Sequence, residues 1–246
     1  MKTAIIIPAR YASTRFPGKP LAIIHGKSMI QRVVEQCMRV EQVDHIVVAT
    51  DDERIANHVQ GLGHQVVLTR ADHPSGTDRC CEAASMACPD ADIIVNVQGD
   101  EPFIQPQQIE QVIQAIRKEK SEIATLAIAM KQAGDPFDPN KVKVVFDQHG
   151  RALLFSRSAI PYVRNHGPED WMAHAPYFKH IGLYAFRHQT LRQLVALPPS
   201  KLEMAESLEQ LRWLEAGYRI HVLLTESESK GIDTPEDLEE AQQMPL

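Results

Sequence analysis

Ala4-Ile5-Ile6-Ile7-Pro8-Ala9-Arg10-Tyr11-Ala12-Ser13-Thr14-Arg15-Phe16-Pro17-Gly18-Lys19-Pro20-Leu21 reads as a short buried strand that empties into a loop carrying three cations. Downstream, Ser28–Val40 has apolar residues at 29, 30, 33, 34 and 37, which is helical spacing. His45–Ala49, Val66–Leu68, Asp92–Val97 and Ile123–Met130 are further apolar runs of strand length. Helices are expected between them: one capped by Asp52 and ending near Gly61-Leu62-Gly63, then Thr77–Ala87 and Pro106–Lys118. Uniformly apolar strands separated by helices predict an α/β fold, with a mostly parallel central sheet and helices on both faces. Open sheets of this kind bind ligands at the carboxyl ends of their strands, so the loop from Ala9 to Pro20 is where a site belongs.

The rhythm breaks after Lys131. Gly134–Pro139 is turn-rich, and Val142–Phe146 and Ala152–Phe155 flank Asp147-Gln148-His149-Gly150 as a hairpin. Residues 161–176 are irregular, and Ile181–Phe186 returns to strand character. Helices follow at Thr190–Ala196 and at Leu202–Ala216, the latter with Ser200 as cap. After a strand at 219–225, Thr234-Pro235-Glu236-Asp237 opens a last helix with a cap, an N1 proline and an acidic first turn. The expectation is a single domain over 1–246 with a subdomain inserted at about 131–187.

Composition excludes several classes. The chain has 246 residues, 43% hydrophobic and 24% charged, with a net charge of −6. That balance argues against a nucleic-acid binder, and no apolar run approaches the ~18 residues of a membrane span. The opening Met1–Ile7 imitates a signal peptide, but Pro8 and Arg10 stop it short of an apolar h-region. A cytoplasmic protein is expected. Cys37, Cys80, Cys81 and Cys88 form no C-x-x-C pair, and the histidines form no H-E-x-x-H pattern, so structural zinc and a disulfide framework are not expected. The charge is uneven: residues 1–39 hold seven Lys/Arg and one acid, +6, which leaves −12 for the remainder. A cationic beginning on an acidic protein points to a focused anion site.

Arg10, Arg15 and Lys19 supply forked guanidinium donors and a point-charge ammonium, a set that suits a polyphosphate as well as it suits a solvated basic loop. There is no G-x-G-x-x-G after the first strand, and Gly26-Lys27-Ser28 lacks the upstream glycine of a P-loop, so it reads as a turn entering a helix. Asp100 in Asn96-Val97-Gln98-Gly99-Asp100-Glu101-Pro102 follows a strand terminus, where an acid can hold Mg²⁺ against a phosphate. Asp233 in Gly231-Ile232-Asp233-Thr234-Pro235 reads first as serving a helix N-terminus, with a metal role as the alternative. Ser75-Gly76-Thr77-Asp78-Arg79 opens a helix whose free N–H groups and hydroxyls can receive a carbonyl or anion, or simply cap it.

In order along the chain, PARYASTRFPGKPL, SGTDR, NVQGDEP, FSRSAIPY, KHIGLYAFR, ESLEQLRWLEAGYRI and GIDTPEDLEE run from Pro8 to about Glu240. Together they resemble the 3-deoxy-manno-octulosonate (Kdo) cytidylyltransferase family, also called CMP-Kdo synthetases. Leu154 stands where the family has an aromatic, a packing position. The resemblance implies a nucleotide-diphospho-sugar transferase type of fold, and a homodimer whose contacts come from the inserted region. It implies that CTP and Kdo give CMP-Kdo and pyrophosphate, for lipopolysaccharide biosynthesis, with Mg²⁺ as cofactor. By the same resemblance Arg10, Arg15 and Lys19 hold the triphosphate; Pro8, Ala9, Ser75, Gly76 and Thr77 line the nucleotide pocket; and Asp100 and Asp233 hold the metal. Arg10, Lys19, Asp100 and Asp233 carry the catalysis. Arg79, Gln98, Arg157, His180, Tyr184, Glu209 and Gln210 surround Kdo. Sialic-acid and capsule-pathway cytidylyltransferases are the nearest alternatives, and a catalytically silent nucleotide-binding regulator is a third. A sialic-acid enzyme is expected to depart from GKPL, GDEP and the C-terminal helix motif.

Overall fold

A computed structural model describes residues 1–12, 15–118, 121–229 and 231–243; Ser13 and Thr14 of the first loop lie outside them. The first strand, β1 (Thr3–Ala9), sends Ile5 and Ile7 to one face of the sheet and Ala4 and Ile6 to the other, all four completely buried. At about 1.5–3 kcal/mol for each isoleucine, this double burial drives the strand to the middle of the sheet. A small hairpin, β2 (Ile23–Ile24) and β3 (Lys27–Ser28), turns at Gly26 (φ +79°), and Ser28 then caps α1 (Met29–Cys37) by accepting from the Gln31 N–H. Gly26-Lys27-Ser28 is thus the turn into a helix that its spacing predicts.

Next come β4 (His45–Thr50), α2 (Glu53–Gly61), β5 (Gln65–Leu68), α3 (Gly76–Ala87), β6 (Ile93–Asn96), α4 (Pro106–Lys118) and β7 (Ile123–Ala129). The chain continues through β8 (Lys143–Phe146), β9 (Ala152–Ser156), α5 (Trp171–His174), β10 (Phe178–Arg187) and α6 (His188–Leu194). It finishes with α7 (Lys201–Glu206), α8 (Glu209–Glu215), β11 (Ile220–Leu224) and α9 (Pro235–Ala241). The main sheet has the order β11-β7-β10-β6-β1-β4-β5, with β8 and β9 attached through β10. Helices α1, α2 and α4 contribute to the core on one face, and α3, α6 and α8 to that on the other.

Two features depart from the sequence expectation. The last ten residues of the stretch 131–187 are not part of an appendage, because β10 runs antiparallel between β6 and β7 in the central sheet. An apolar run reads the same in either direction, so its orientation was not legible. The residues before β10 do have a small core of their own, Met130, Trp171 and Tyr177, packed with Ala159, Val163 and Met172. The helix expected over Leu202–Ala216 is two helices, broken where Ser207 takes a left-handed conformation (φ 51°). Side-chain contacts from the end of β9 account for the break. Ser156 Oγ and the Arg157 N–H donate to the Glu206 carboxylate (2.6 and 2.8 Å), and Arg157 Nε donates to the Glu206 carbonyl (2.7 Å). Leu154 is 38% exposed on β9, so it is not a core packing position.

Candidate active site

The loop after β1 is folded back by Gly18. Its φ of +73° is costly for residues with a Cβ, its N–H donates to the Tyr11 carbonyl, and a Cβ there would meet the Tyr11 ring at 3.1 Å. The Tyr11 ring in turn lies 3.3 Å from the Arg54 guanidinium. This return brings Lys19, 12% exposed, under the ends of β6 and the C-terminal loop. Its ammonium donates to Asp100 Oδ2 at 2.6 Å and to Asp233 Oδ1 at 3.1 Å. Arg15 Nη2 lies 3.2 Å from the same Asp233 oxygen. Two acids 133 positions apart therefore meet on one cation. Asp233 does not cap the last helix: Thr234 does, in a capping box with Asp237, and this leaves the Asp233 carboxylate for Lys19 and Arg15.

A cleft of about 450 Å³ opens over this cluster, lined by Pro8, Ala9, Arg10, Arg15, Lys19 and Asp100 together with Gly76, Gln98 and Gly99. Gly99 is indispensable to its floor, because a Cβ there would lie 2.7 Å from the Pro8 carbonyl oxygen. The end of β1 and the backbone just past β6 touch at this point. Arg10 Nη2 donates to the His73 carbonyl at 3.4 Å, a long bond that leaves the guanidinium largely uncommitted.

A second wall begins at the first turn of α3. Ser75 caps that helix by accepting from the Thr77 and Asp78 N–H groups. Thr77 Oγ1 donates to Glu209 Oε2 at 2.6 Å, and Glu209 also receives Arg212 Nη2 at 2.7 Å. Burial pushes the Glu209 carboxyl up, against the pull of the Thr77 and Ser75 hydroxyls and Arg212. Beyond it, Tyr184 stands edge-on to Trp213 (5.2 Å), and His180 lies 5.4 Å from Tyr184 and 5.0 Å from Phe155. A bulge in β10 between Ile181 and Tyr184 puts both rings beside Thr125, whose hydroxyl lies 2.9 Å from the Leu183 carbonyl and 3.0 Å from His180 Nε2. Gly76 lines the cleft, and its neighbours Ser75 and Thr77 lead from it to Glu209.

The chain matches the family described as cytidylyltransferase over residues 4–220. The 3-deoxy-manno-octulosonate cytidylyltransferase of Parabacteroides distasonis is 53% identical over 245 residues, covering 98% of this chain and 97% of its own. That of Bacteroides thetaiotaomicron is 52% identical over 247 residues, covering 99% and 98%. The solved structure of CMP:2-keto-3-deoxy-manno-octonic acid synthetase complexed with CTP superposes with a TM-score of 0.92 at 44% identity, covering 99% of this chain and 98% of that one. The chain belongs to the 3-deoxy-manno-octulosonate cytidylyltransferase family. It is a nucleotidyltransferase with the nucleotide-diphospho-sugar transferase type of α/β fold.

Within this cytidylyltransferase, two of the expected Kdo residues are already engaged. Arg79 is completely buried, donating Nη1 to Thr69 Oγ1 (2.6 Å) and lying 3.3 Å from Asp51, so it faces the ends of β4 and β5 rather than the cleft. Burial pushes its guanidinium down, and Nε and Nη2 find no partner among the described residues. Arg157 gives its guanidinium to the carbonyls of Glu206, Pro139 and Ser207, at 2.7, 3.0 and 3.4 Å. It ties the β9 end to the helix break through neutral carbonyls, and among the described residues no carboxylate pairs with the guanidinium. Gln210 is buried on α8 beside Glu209. Three contributors were missed from sequence: Thr125, which plugs the β10 bulge; Asp51, which holds Arg79; and Glu101. Glu101 accepts from the Ser229 hydroxyl, and the backbone bond from the Ile232 N–H to the Asp100 carbonyl (2.9 Å) lies alongside. Glu101 sits inside the quoted GDEP motif, and only the motif drew attention to it.

Burial pushes the His180 imidazole down to about 3, and neighbouring Lys179 adds to the effect. The folded state thus prefers neutral histidine, while the unfolded chain protonates near the ordinary value of about 6.5. Stability from this group is complete above that value and is lost as pH falls from about 6.5 towards 3, by up to ~1.4 kcal/mol per pH unit. His180→Gln is expected to gain in melting temperature relative to wild type on going from pH 7 to pH 4.5. An unchanged difference between the two proteins over that range would refute the neutral-imidazole assignment.

Proposed function

We propose that this chain couples CTP to Kdo, releasing CMP-Kdo and pyrophosphate, and so supplies activated Kdo for lipopolysaccharide assembly. The observation that carries the reading is the meeting of Asp100 and Asp233 on Lys19 at the floor of a cleft walled by Arg10 and Arg15. Arg10, Arg15 and Lys19 neutralise the triphosphate and the departing pyrophosphate. Backbone groups at Pro8, Ala9 and Ser75-Gly76-Thr77 enclose the cytosine. The 2-hydroxyl of Kdo attacks the α-phosphorus in line, forming one P–O bond as that to the pyrophosphate bridging oxygen breaks and the hydroxyl proton passes to solvent. Gln98 orients the sugar from the cleft side, and Glu209, Gln210, His180 and Tyr184 do so from the aromatic wall. Arg157, whose charge no carboxylate pairs among the described residues, meets the Kdo carboxylate, and Arg79 acts from behind, fixing the ends of β4 and β5.

Asp100 and Asp233 are the pair that would hold Mg²⁺. Hard carboxylate oxygens gathered about one cationic point fit an ion that takes one or two carboxylates and completes its shell with phosphate and water. Among the described residues no third His, Cys, Asp or Glu joins them. When bound, the metal supplies Lewis-acid polarisation of phosphate and hydroxyl.

Pyrophosphate release in the presence of Mg²⁺ tests the reading, with CTP, UTP or ATP crossed against Kdo or sialic acid. CTP with Kdo is expected to exceed ATP with Kdo by at least about 100-fold, because a purine leaves the pocket's polar groups unpaired. UTP, differing at one edge, should fall between. Comparable turnover with ATP, or with sialic acid, would overturn the assignment.

The same reading includes a homodimer formed through the inserted region. Leu153 is 63% and Tyr162 74% exposed there, apolar area that a second copy would cover. Light scattering should give about twice the chain's 27.6 kDa, and a monomer at micromolar concentration would refute the dimer. Among the described residues no helix is long and apolar enough to cross a membrane.

A further inference from the structure

A second cleft, of about 600 Å³, lies at the opposite edge of the sheet from Asp100. Glu122 and Arg219 directly precede the parallel strands β7 and β11, and Arg187 ends the antiparallel β10 at the same level. The turn of the β8–β9 hairpin completes the cleft with His149 and Arg151, opposite His221 of β11. That turn is held by backbone. The Val222 N–H donates to the Gly150 carbonyl at 2.7 Å, and Arg151 bridges His221 in antiparallel fashion. Gly150 has φ +75°, and a Cβ there would meet the Val222 carbonyl oxygen at 3.0 Å, so glycine permits the close approach. Three separate chain segments therefore deliver three guanidiniums and two imidazoles to one concavity.

Little offsets the charge of the three guanidiniums. Arg151 lies 3.8 Å from Asp147, and Arg187 makes one long bond, 3.4 Å, to the Ile116 carbonyl. Among the described residues no carboxylate pairs with Arg187 or Arg219, and Glu122 is the one acid lining the cleft. Like charges gathered on a protein of net charge −6 repel one another and cost stability unless an anion joins them. Guanidiniums converging from different directions match phosphate oxygens by forked bonds. The limited size of the cleft and the acidic remainder of the chain favour a small ligand over a nucleic acid.

We propose that this cleft is a second anion site, separate from the nucleotide cleft, which binds a small phosphorylated compound carrying two or more negative charges. Inorganic pyrophosphate is the probe, titrated calorimetrically in the presence of a chelator so that binding through Mg²⁺ is suppressed. Wild type is expected to show two sites, and Arg15→Ala/Lys19→Ala one. On that double variant, Arg219→Glu and, separately, Arg151→Ala should each weaken the remaining site at least about 10-fold. Both residues are exposed, and melting curves check that the variants fold. One site in wild type, or a remaining site indifferent to both substitutions, would overturn the proposal.

Discussion

Asp100→Asn and Asp233→Asn are each expected to lower kcat by about 100-fold or more, roughly 3 kcal/mol in the barrier. The double variant should be little worse than the poorer single one. Each substitution keeps the shape of the side chain while removing its charge. In the structure the two carboxylates share the Lys19 ammonium at 2.6 and 3.1 Å. Residues that act as a unit give non-additive losses, because the first substitution already dismantles what the second would remove. Both acids are partly exposed, at 34% and 50%, so their ion pairs contribute little to folding and the variants should retain native circular dichroism. The measurement is a double-mutant cycle on kcat at saturating Mg²⁺, with melting curves beside it. Additive losses would separate the two acids into independent roles. If Asp233→Asn left kcat near wild type, Asp233 would have no part in catalysis.

Gly99→Ala is expected to cost nearly as much by a different route. The added Cβ would sit 2.7 Å from the Pro8 carbonyl oxygen, a backbone atom that cannot rotate away. The clash must be relieved by parting the ends of β1 and β6, at about 1–3 kcal/mol of overpacking. Those strand ends carry Ala9 and Arg10 on one side and Asp100 on the other. Restoring an ordinary contact of 3.4 Å or more from 2.7 Å requires a shift of about 0.7 Å, which misplaces nucleotide and carboxylate together, with kcat/KM for CTP falling about 100-fold. Gly134→Ala is the control, since a Cβ there meets nothing within 4 Å and the residue is already helical (φ −77°). Activity retained in Gly99→Ala, or lost equally in both variants, would sever the link between this contact and catalysis.

The strand-and-helix alternation from Thr3 to Ala129 was legible in the residues, because burial on both faces leaves uniformly apolar runs and capping residues mark where helices begin. Asp52, Ser75, Ser200 and Thr234 each accept the backbone N–H bonds their positions predict. The cationic loop was legible too, since a loop after the first strand of such a sheet opens at its carboxyl edge. Tertiary structure alone decided which acids meet. Asp100 and Asp233, paired beforehand only through the family resemblance, converge because β6 and the segment after β11 end at the same sheet edge, which spacing alone does not show. The direction of β10 belongs with these, as does the break at Ser207, imposed by Ser156 and Arg157 from another segment. Arg79 and Arg157 show the same limit. An arginine's charge can be read from sequence, but whether a carbonyl, a half-buried aspartate or a ligand receives it depends on what folding brings within about 3.5 Å.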